Sequence, residues 1–279
     1  SISEPKLQET SASIRLDILD AIASANKGHI GGAFSCVELL VALFHGGLLK
    51  YDSTLPDWKE RDYFILSKGH TGVALYAILV SIGFLKKKQL MKLNQEQILG
   101  EHPDARIPGV EADSGSLGHG LGIATGLALS NRMDKKDNQT VVLLGDGECY
   151  EGSTWEAALF AAHLGLNNLF AIVDRNRQIV NDFTENVNRL EPLAEKWSAF
   201  GWVVREINGH NFEDIFKAFH DFRIRNTTKP VLILANTVKG KGVSFMEGEL
   251  EWHHGGIGGN NYKLARQEIL TQLKEFPSE

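Results

Sequence analysis

Two polar residues that follow apolar runs mark the part of the sequence most suited to chemistry. Asp146 lies within Gly-Asp-Gly directly after the run 141–144, and Asn176 follows the run 169–173. Oxygen-bearing side chains of this kind suit Mg²⁺, a hard cation that proteins often share with substrate phosphates. The glycines beside Asp146 let the backbone approach a ligand, and the helix start behind them favours phosphate. The segment therefore predicts a magnesium-diphosphate site; the alternative is a tight turn with Asn176 as a cap.

Histidines form the second set of candidates, because imidazole exchanges protons near neutral pH. Five of them occur in glycine-containing loops beside an expected strand end or helix start: His29, His70, His102, His119 and His253. In a doubly wound fold such loops can converge on one rim, where imidazoles could orient phosphates and hydroxyls. A zinc site is the competing hypothesis, which the sequence does not favour because it has no HxH, HExxH or CxxC spacing. His45, His163 and His220 lie in expected helices and are interpreted as structural.

The elements that must position these residues alternate between helix and strand. Strands are expected at 62–66, 141–144, 169–173, 202–207 and 230–236. Helices are expected at about 6–26, 36–44, 73–82, 121–131, 192–200 and 212–223, within the central βαβ unit, and at the end of the chain. Segments without regular structure are expected at 27–35, 94–114 and 180–187.

This alternation predicts the fold class. Strand–helix repetition without a long linker is typical of a doubly wound α/β domain, with a mostly parallel sheet and helices on both faces. We expect one such domain over residues 1–279, with a glycine-rich tail and a closing helix from about 237.

Composition limits the classes of function. The 279 residues are 43% hydrophobic and 23% charged, as in ordinary globular proteins. A net charge of −6 argues against nucleic acid as a partner. No stretch has the length of a membrane span, and two cysteines, Cys36 and Cys149, suit a reducing compartment. We expect a cytoplasmic protein that binds neither nucleic acid nor membrane.

Several motifs occur in one order between about residue 6 and residue 256. They are KGHIGGAFS, LSKGHTGVALYA, EHPD, GSLGHGLGIATG, the GDG…N segment, GWVVREINGHNFEDI, TVKGKG and EWHHG. In this order the sequence resembles the transketolases, and it resembles that branch more than thiamine-diphosphate enzymes at large. The resemblance implies a transferase that moves a two-carbon ketol unit from a ketose or ketose phosphate to an aldose. It also implies thiamine diphosphate and Mg²⁺, or Ca²⁺ or Mn²⁺ in its place, as cofactors.

The resemblance further implies roles for individual residues. The substrate channel would be lined by three catalytic residues, His29, His102 and His253. Thiamine diphosphate would be held by His70, with Lys68 close by, and by Gly115, Ser116, Leu117, Gly147, Glu151, Asn176 and Lys239. The metal ligands would be Asp146, Asn176 and the carbonyl oxygen of Gln178.

Some residues depart from the family pattern. His119 stands where glutamine is usual, and Val180 where a polar contact with the cofactor is common. Arg175 directly precedes the metal-site asparagine. His253 and His254 are adjacent, and His253 is chosen because it follows a tryptophan. These departures bear on substrate preference more than on reaction type.

The resemblance also predicts a partner. In transketolases, a glutamate that activates the cofactor belongs to a second, pyrimidine-binding domain of the neighbouring protomer, and these 279 residues contain no counterpart of that domain. We therefore expect a heterotetramer in which two copies of this chain bind two copies of a C-terminal partner subunit. A naturally split enzyme is favoured over an excised domain, because the closing helix, with Tyr262, Ala265, Ile269 and Leu273 near one face, is interpreted as a finished end.

Three other functions are weighed. A 1-deoxyxylulose-5-phosphate-synthase-like enzyme would begin by decarboxylating pyruvate, and the wording of LSKGH and EWHHG disfavours it. A non-catalytic thiamine-diphosphate- or phosphate-binding module would have no need of the complete histidine set. A Rossmann-like nucleotide binder would need GxGxxG after a strand, which is absent. The sugar stays open: xylulose 5-phosphate is the default, as in the pentose phosphate pathway, and sulfosugars or branched sugars use the same machinery.

Overall fold

A parallel sheet of five strands forms the centre of the computed structural model, which describes residues 2–95, 99–224 and 227–276. The strands are β1 (Tyr63–Leu66), β2 (Thr140–Gly145), β3 (Leu169–Arg175), β4 (Val203–Asn208) and β5 (Val231–Asn236). Their order is β1-β2-β3-β5-β4, and every neighbouring pair is parallel. The carboxyl ends of all five strands therefore meet at one end of the sheet.

Helices connect the strands. They are α1 (Glu4–Ala25), α2 (Ile30–Ser35), α3 (Val37–Phe44), α4 (Gly72–Ser81), α5 (Lys87–Leu90), α6 (Gly120–Met133), α7 (Gly152–His163), α8 (Thr184–Val187), α9 (Leu193–Ala199), α10 (Phe212–Ile224) and α11 (Gly259–Lys274). None of the helices in the described residues combines the length and apolarity needed to cross a bilayer.

The two faces of the sheet carry separate apolar layers. Val141 and Leu143 of β2 face the layer made by α1, α3, α4, α10 and α11, whereas Val142 and Leu144 face the layer made by α6, α7 and α9. Alternate residues point to opposite faces of a strand, so a strand buried on both faces needs a continuous apolar run. The predicted doubly wound α/β class is confirmed by this arrangement.

Two segments differ from the prediction. Residues 27–35 were expected to form a loop, yet residues 30–35 form α2, because Ala33 and Phe34 are fully buried and stabilise a turn of helix despite two glycines. Within 180–187, expected to be irregular, residues 184–187 form the single-turn helix α8. In both places tertiary contacts outweigh the local signal from the sequence.

One strand is longer than predicted. β3 continues beyond Val173 through Asp174 and Arg175, which pair with Ala235 and Asn236 of β5. Two charged residues are thereby placed inside the sheet, where both are buried. Their charges must be balanced by other groups at the carboxyl end of the sheet.

Gly120, the first residue of α6, lies against the end of β1. A methyl group there would lie 2.2 Å from Oγ and 2.8 Å from Cα of Ser67. We expect Gly120→Ala to lower the free energy of unfolding by about 1–3 kcal/mol, because backbone must shift. Gly122→Ala is the matched control, since nothing lies within 4 Å of its added methyl. It should be neutral or stabilise the helix by up to about 1 kcal/mol. Urea denaturation measures both, and equal stabilities would contradict close packing of α6 on β1.

Candidate active site

A cavity of about 370 Å³ opens at the carboxyl ends of β2 and β3. Open parallel sheets bind ligands at this end. Its walls contain most of the residues predicted for the site: His29, His70, Gly115, Leu117, Asp146, Gly147, Asn176, Gln178, Lys239 and His253. The fold thus brings together residues that are far apart in the chain.

Three predicted site residues do not line the cavity. His102 is exposed and packs beside it, since a methyl group on Gly115 would lie 3.0 Å from the His102 ring. Ser116 is exposed, and Glu151 is exposed at the start of α7. The roles implied for these three residues remain predictions.

Asp146 is a buried carboxylate at the floor of the cavity. Its Oδ1 accepts a hydrogen bond from Gly147 N at 2.7 Å, and its Oδ2 accepts from Arg175 Nη1 at 3.0 Å and from Arg177 N at 2.5 Å. Burial raises the pKa of Asp146; Arg175 opposes this rise, and the neighbouring Asp174 adds to it. A raised pKa means that the negative charge is incompletely balanced.

The surroundings of Asp146 fit a divalent cation. Asn176 and Gln178 line the same part of the cavity, and Gln178 Oε1 is buried with no hydrogen-bond partner in the described residues. Asn176 Oδ1 accepts from Gln178 N at 3.1 Å, which holds the segment after β3 in a tight turn. A carboxylate with a carboxamide and backbone carbonyls nearby is an oxygen set of the kind that Mg²⁺ binds together with phosphates.

Lys68 and Asp174 form a buried ion pair beside the cavity, which the sequence did not reveal. Both side chains are at most 1% exposed. Lys68 Nζ also donates to Gly32 O at 2.9 Å, and Asp174 accepts from Ser35 Oγ at 2.6 Å. Burial alone would lower the pKa of Lys68, but attraction by Asp174 leaves that pKa raised. Lys68 is therefore a charged residue whose charge is already balanced.

Lys239, in contrast, is a cation without a carboxylate partner in the described residues. Its Nζ lies 2.9 Å from Ile179 O and 2.8 Å from His253 Nδ1, both neutral groups. Burial, and then repulsion by Lys68, lowers the pKa of Lys239 to about 8. An ammonium held in a cavity with little compensation favours an anionic ligand.

Three imidazoles form a cluster in the cavity wall beside Lys239. The ring centroid of His29 lies 5.1 Å from those of His70 and His253, and the latter two are 5.9 Å apart. Burial lowers the pKa of His29 to about 4 and that of His253 to about 3, and it places the pKa of His70 well below its usual value. All three are neutral at pH 7, so each can both donate and accept a hydrogen bond.

Glu148 was missed by sequence reasoning. It is buried in the cavity wall, and its carboxylate accepts hydrogen bonds from Ser67 Oγ, from Gly118 N at 2.9 Å and from Gly145 N at 3.1 Å. It thereby joins the loops after β1 and β2 to the start of α6. Its position directly after Gly-Asp-Gly was the available signal, but a glutamate near a helix start is usually solvated.

Glu101 was also missed, although the motif that contains it was recognised. Its Oε1 lies 2.9 Å from His29 Nδ1 and 3.0 Å from His254 Nε2, and its Oε2 lies 3.0 Å from Lys27 Nζ. A carboxylate therefore stands behind the imidazole cluster, in contact with His29 and His254.

Comparison with known proteins agrees with this geometry. Residues 7–276 match the family described as transketolase, thiamine diphosphate binding domain. The chain belongs to the transketolase family. The family and the transferase class predicted from the sequence are thereby confirmed, as is the capacity of this domain type to bind thiamine diphosphate.

Relatives fall into two groups by length. The chain is 41% identical over 266 residues to one named subunit of the apulose-4-phosphate transketolase of Phocaeicola vulgatus, covering 95% of this chain and 94% of the relative. It is 42% identical over 265 residues to 6-deoxy-6-sulfo-D-fructose transketolase subunit SqwG of Clostridium sp., covering 94% and 96%. Against human transketolase, identity is 34% and coverage is 96% of this chain but 42% of the human protein.

Solved structures of transketolases are also similar to this chain and are about twice its length. A transketolase from Campylobacter jejuni superposes with a TM-score of 0.90 at 28% identity, covering 99% of this chain and 46% of that one. The chain thus spans less than half the length of this transketolase and of the human one, and nearly the whole length of the two relatives named as subunits.

The neutral imidazoles make stability depend on pH. In the folded chain the pKa of His29 is about 4 and that of His253 about 3, whereas unfolded imidazoles take up protons near pH 6.5. Between these values the unfolded state binds more protons, so the free energy of unfolding should fall as pH drops from about 6.5 to about 4. The slope contributed is up to about 1.4 kcal/mol per pH unit for each histidine.

Urea denaturation at pH 7, 6 and 5 measures this slope. His29→Gln should flatten it, whereas His163→Gln, which changes an exposed histidine at the end of α7, should leave it unchanged. A slope that is the same in both variants would contradict the assignment of His29 as a buried neutral imidazole.

Proposed function

We propose that this chain is the thiamine-diphosphate- and Mg²⁺-binding subunit of a two-subunit transketolase, and that residues 1–279 constitute one binding domain. The observation that carries the proposal is the meeting of three features in one cavity. These are a buried carboxylate beside an asparagine, an ammonium without a carboxylate partner in the described residues, and a cluster of neutral imidazoles.

The cofactor would lie across the carboxyl ends of β2 and β3. Asp146, Asn176 and the Gln178 carbonyl would hold the metal, whose charge would balance the buried carboxylate. Lys239, His70 and Asn176 would contact the diphosphate, and Gly115 and Leu117 would contact the ring system. When bound, thiamine diphosphate supplies the centre that stabilises the carbanion needed for ketol transfer.

The imidazoles would bind and orient the sugar. An ammonium can only donate, so Lys239 Nζ at 2.8 Å assigns the unprotonated nitrogen of His253 to Nδ1 and the proton to Nε2. His253 can then donate a hydrogen bond to a sugar oxygen while remaining uncharged. Because His29 and His70 are neutral as well, they can exchange hydrogen bonds with hydroxyls without repelling the nearby lysines.

A partner chain would complete the site. Two relatives that match nearly end to end are named as transketolase subunits, which supports a second chain. Several large apolar side chains are exposed on α6, α7 and the segment after β3: Ile123, Leu159, Phe160, Val180, Phe183 and Val187. Such exposed residues near a site are typical of a surface that another protein covers. We propose that a C-terminal transketolase subunit covers them in an α2β2 assembly.

The substrate class is a ketose donor, carrying a phosphate or another terminal anion, and an aldose acceptor. Relatives of 41% and 42% identity are named for apulose 4-phosphate and for 6-deoxy-6-sulfo-D-fructose, so overall identity does not select the sugar. We propose xylulose 5-phosphate and the pentose phosphate pathway as the default.

We also propose a cytoplasmic location, supported by two buried free thiols, Cys36 and Cys149.

Reconstitution tests the proposal. We expect ketol transfer when the chain is mixed with a C-terminal transketolase subunit encoded in the same genome, thiamine diphosphate and Mg²⁺. The donors to try are xylulose 5-phosphate, apulose 4-phosphate and 6-deoxy-6-sulfo-D-fructose, and the chain alone should transfer nothing from any of them.

Asp146→Asn should weaken Mg²⁺-dependent thiamine diphosphate binding at least about tenfold, because a charged metal ligand is lost. Asp137→Asn, which changes an exposed carboxylate before β2, is the matched control.

The outcomes separate the alternatives. Release of carbon dioxide from pyruvate would instead identify a 1-deoxyxylulose-5-phosphate-synthase-like enzyme. Calorimetric binding of thiamine diphosphate with no turnover in the mixture would favour a non-catalytic module. Full turnover by the isolated chain would refute the need for a partner.

Lys239 should make the affinity for thiamine diphosphate depend on pH. Its pKa is about 8 in the free chain, and only the protonated form attracts a diphosphate. The affinity for thiamine diphosphate should therefore be constant below about pH 7 and fall as pH rises through 8 to 9. Calorimetric titration of thiamine diphosphate at several pH values between 7 and 9.5 measures this dependence. The Lys239→Met variant should bind thiamine diphosphate weakly and without this pH dependence. An affinity of the unmodified chain that does not change between pH 7 and 9.5 would exclude Lys239 as the diphosphate contact.

A further inference from the structure

His29, Glu101 and His254 bring three metal-ligating atoms together beside the cavity. The atoms lie within 4.8 Å of one another, and in the part of the chain that the structure describes this is the one such group of histidine, cysteine and carboxylate side chains. The three residues come from the loop before α2, the loop after α5 and the segment after the turn at residues 250–252. No local sequence motif could indicate this group, because its members are far apart in the chain.

The contacts within the cluster leave one imidazole nitrogen available to a shared ion. His29 Nδ1 is buried and has no aligned hydrogen-bond partner in the described residues, although Glu101 Oε1 is 2.9 Å away. An octahedral ion with bonds of about 2.1 Å separates neighbouring ligand atoms by about 3.0 Å, and a tetrahedral ion by about 3.4 Å. The Glu101 contacts of 2.9 and 3.0 Å match the first value, and the His254 contact also has the geometry of a hydrogen bond.

We propose that His29, Glu101 and His254 form a binding site for a divalent transition metal ion, separate from the proposed Mg²⁺ site at Asp146. Two imidazoles and one carboxylate suit Fe²⁺, Co²⁺, Ni²⁺ or Zn²⁺, whereas Mg²⁺ prefers an all-oxygen set. The open positions of the ion would be filled by water. The site does not depend on the transketolase activity and can be tested on the chain by itself.

One neighbour, Lys27, influences how well the ion binds. Lys27 Nζ lies 3.0 Å from Glu101 Oε2 and competes for the carboxylate, but its side chain is 55% exposed and can turn into solvent. Removing the Lys27 ammonium should therefore strengthen metal binding, which a purely structural role of Glu101 would not predict.

Metal titration of the chain tests the proposal. The chain is titrated with Zn²⁺ in a calorimeter and with Co²⁺ in a spectrophotometer, in excess Mg²⁺ and without thiamine diphosphate. We expect one ion per chain and visible Co²⁺ bands of an imidazole-bound ion. Glu101→Gln and His254→Ala should each weaken binding at least about tenfold, and Lys27→Met should strengthen it. Glu251→Gln, which removes an exposed carboxylate from the turn before His253, should change nothing.

Rescue separates a lost ligand from a damaged fold. His254→Cys supplies another metal ligand at the same position, so it should retain the binding that His254→Ala loses. Absence of Zn²⁺ and Co²⁺ binding by the unmodified chain would overturn the proposal. So would binding of equal strength in the unmodified chain, Glu101→Gln and His254→Ala, because the ion would then lie elsewhere.

Discussion

The buried ion pair between Lys68 and Asp174 is the interaction on which the arrangement of the site depends. Lys68 follows β1 and Asp174 belongs to β3, and Asp174 also accepts hydrogen bonds from Ser35 at the end of α2 and from Thr237 after β5. Four separate segments are therefore joined at one carboxylate. Because a buried charge that loses its partner costs about 3–5 kcal/mol, these segments are strongly constrained to this geometry.

The polar groups of the site differ in how far neighbouring protein groups compensate their charge. Lys68 and Asp174 balance each other's charge, and Glu148 accepts three hydrogen bonds although burial raises its pKa, so these groups hold the cavity walls in place. Asp146 and Lys239 are left with incompletely balanced charge, as the raised pKa of the first and the lowered pKa of the second indicate. Unbalanced groups of opposite sign in one cavity suit a ligand that brings both a cation and a phosphate. That is the physical basis for the proposed metal and diphosphate contacts.

Shared architecture and divergent sugars are compatible in this family. Two relatives of similar identity carry names of different sugar substrates, while the fold superposes on a transketolase with a TM-score of 0.90. The groups described above are proposed to hold the cofactor, which such enzymes have in common. Glu101 and His254, which contact each other beside the imidazole cluster, and the exposed apolar side chains of α6 and α7 lie outside that shared set.

Much of the fold could be predicted from the sequence, because buried parallel strands must be continuous apolar runs. The runs before Gly145 and before Asp174 located β2 and β3, and this placed Asp146 and Asn176 at strand ends. The residue roles came from the resemblance to transketolases rather than from spacing. Of those residues, His102, Ser116 and Glu151 do not line the cavity, and a resemblance in motifs could not show this, because it depends on how the loops fold in this chain.

Only the tertiary structure decided which charges meet. The pairing of Lys68 with Asp174, the three donors on Glu148 and the contact of Glu101 with His29 and His254 join residues that are distant in the chain. Local patterns cannot encode such contacts, because they arise when the loops that follow different strands are brought side by side. For the same reason, residues 30–35 form a helix where two glycines indicated a loop: the burial of Phe34 against the core outweighs a local preference of about 1 kcal/mol per glycine.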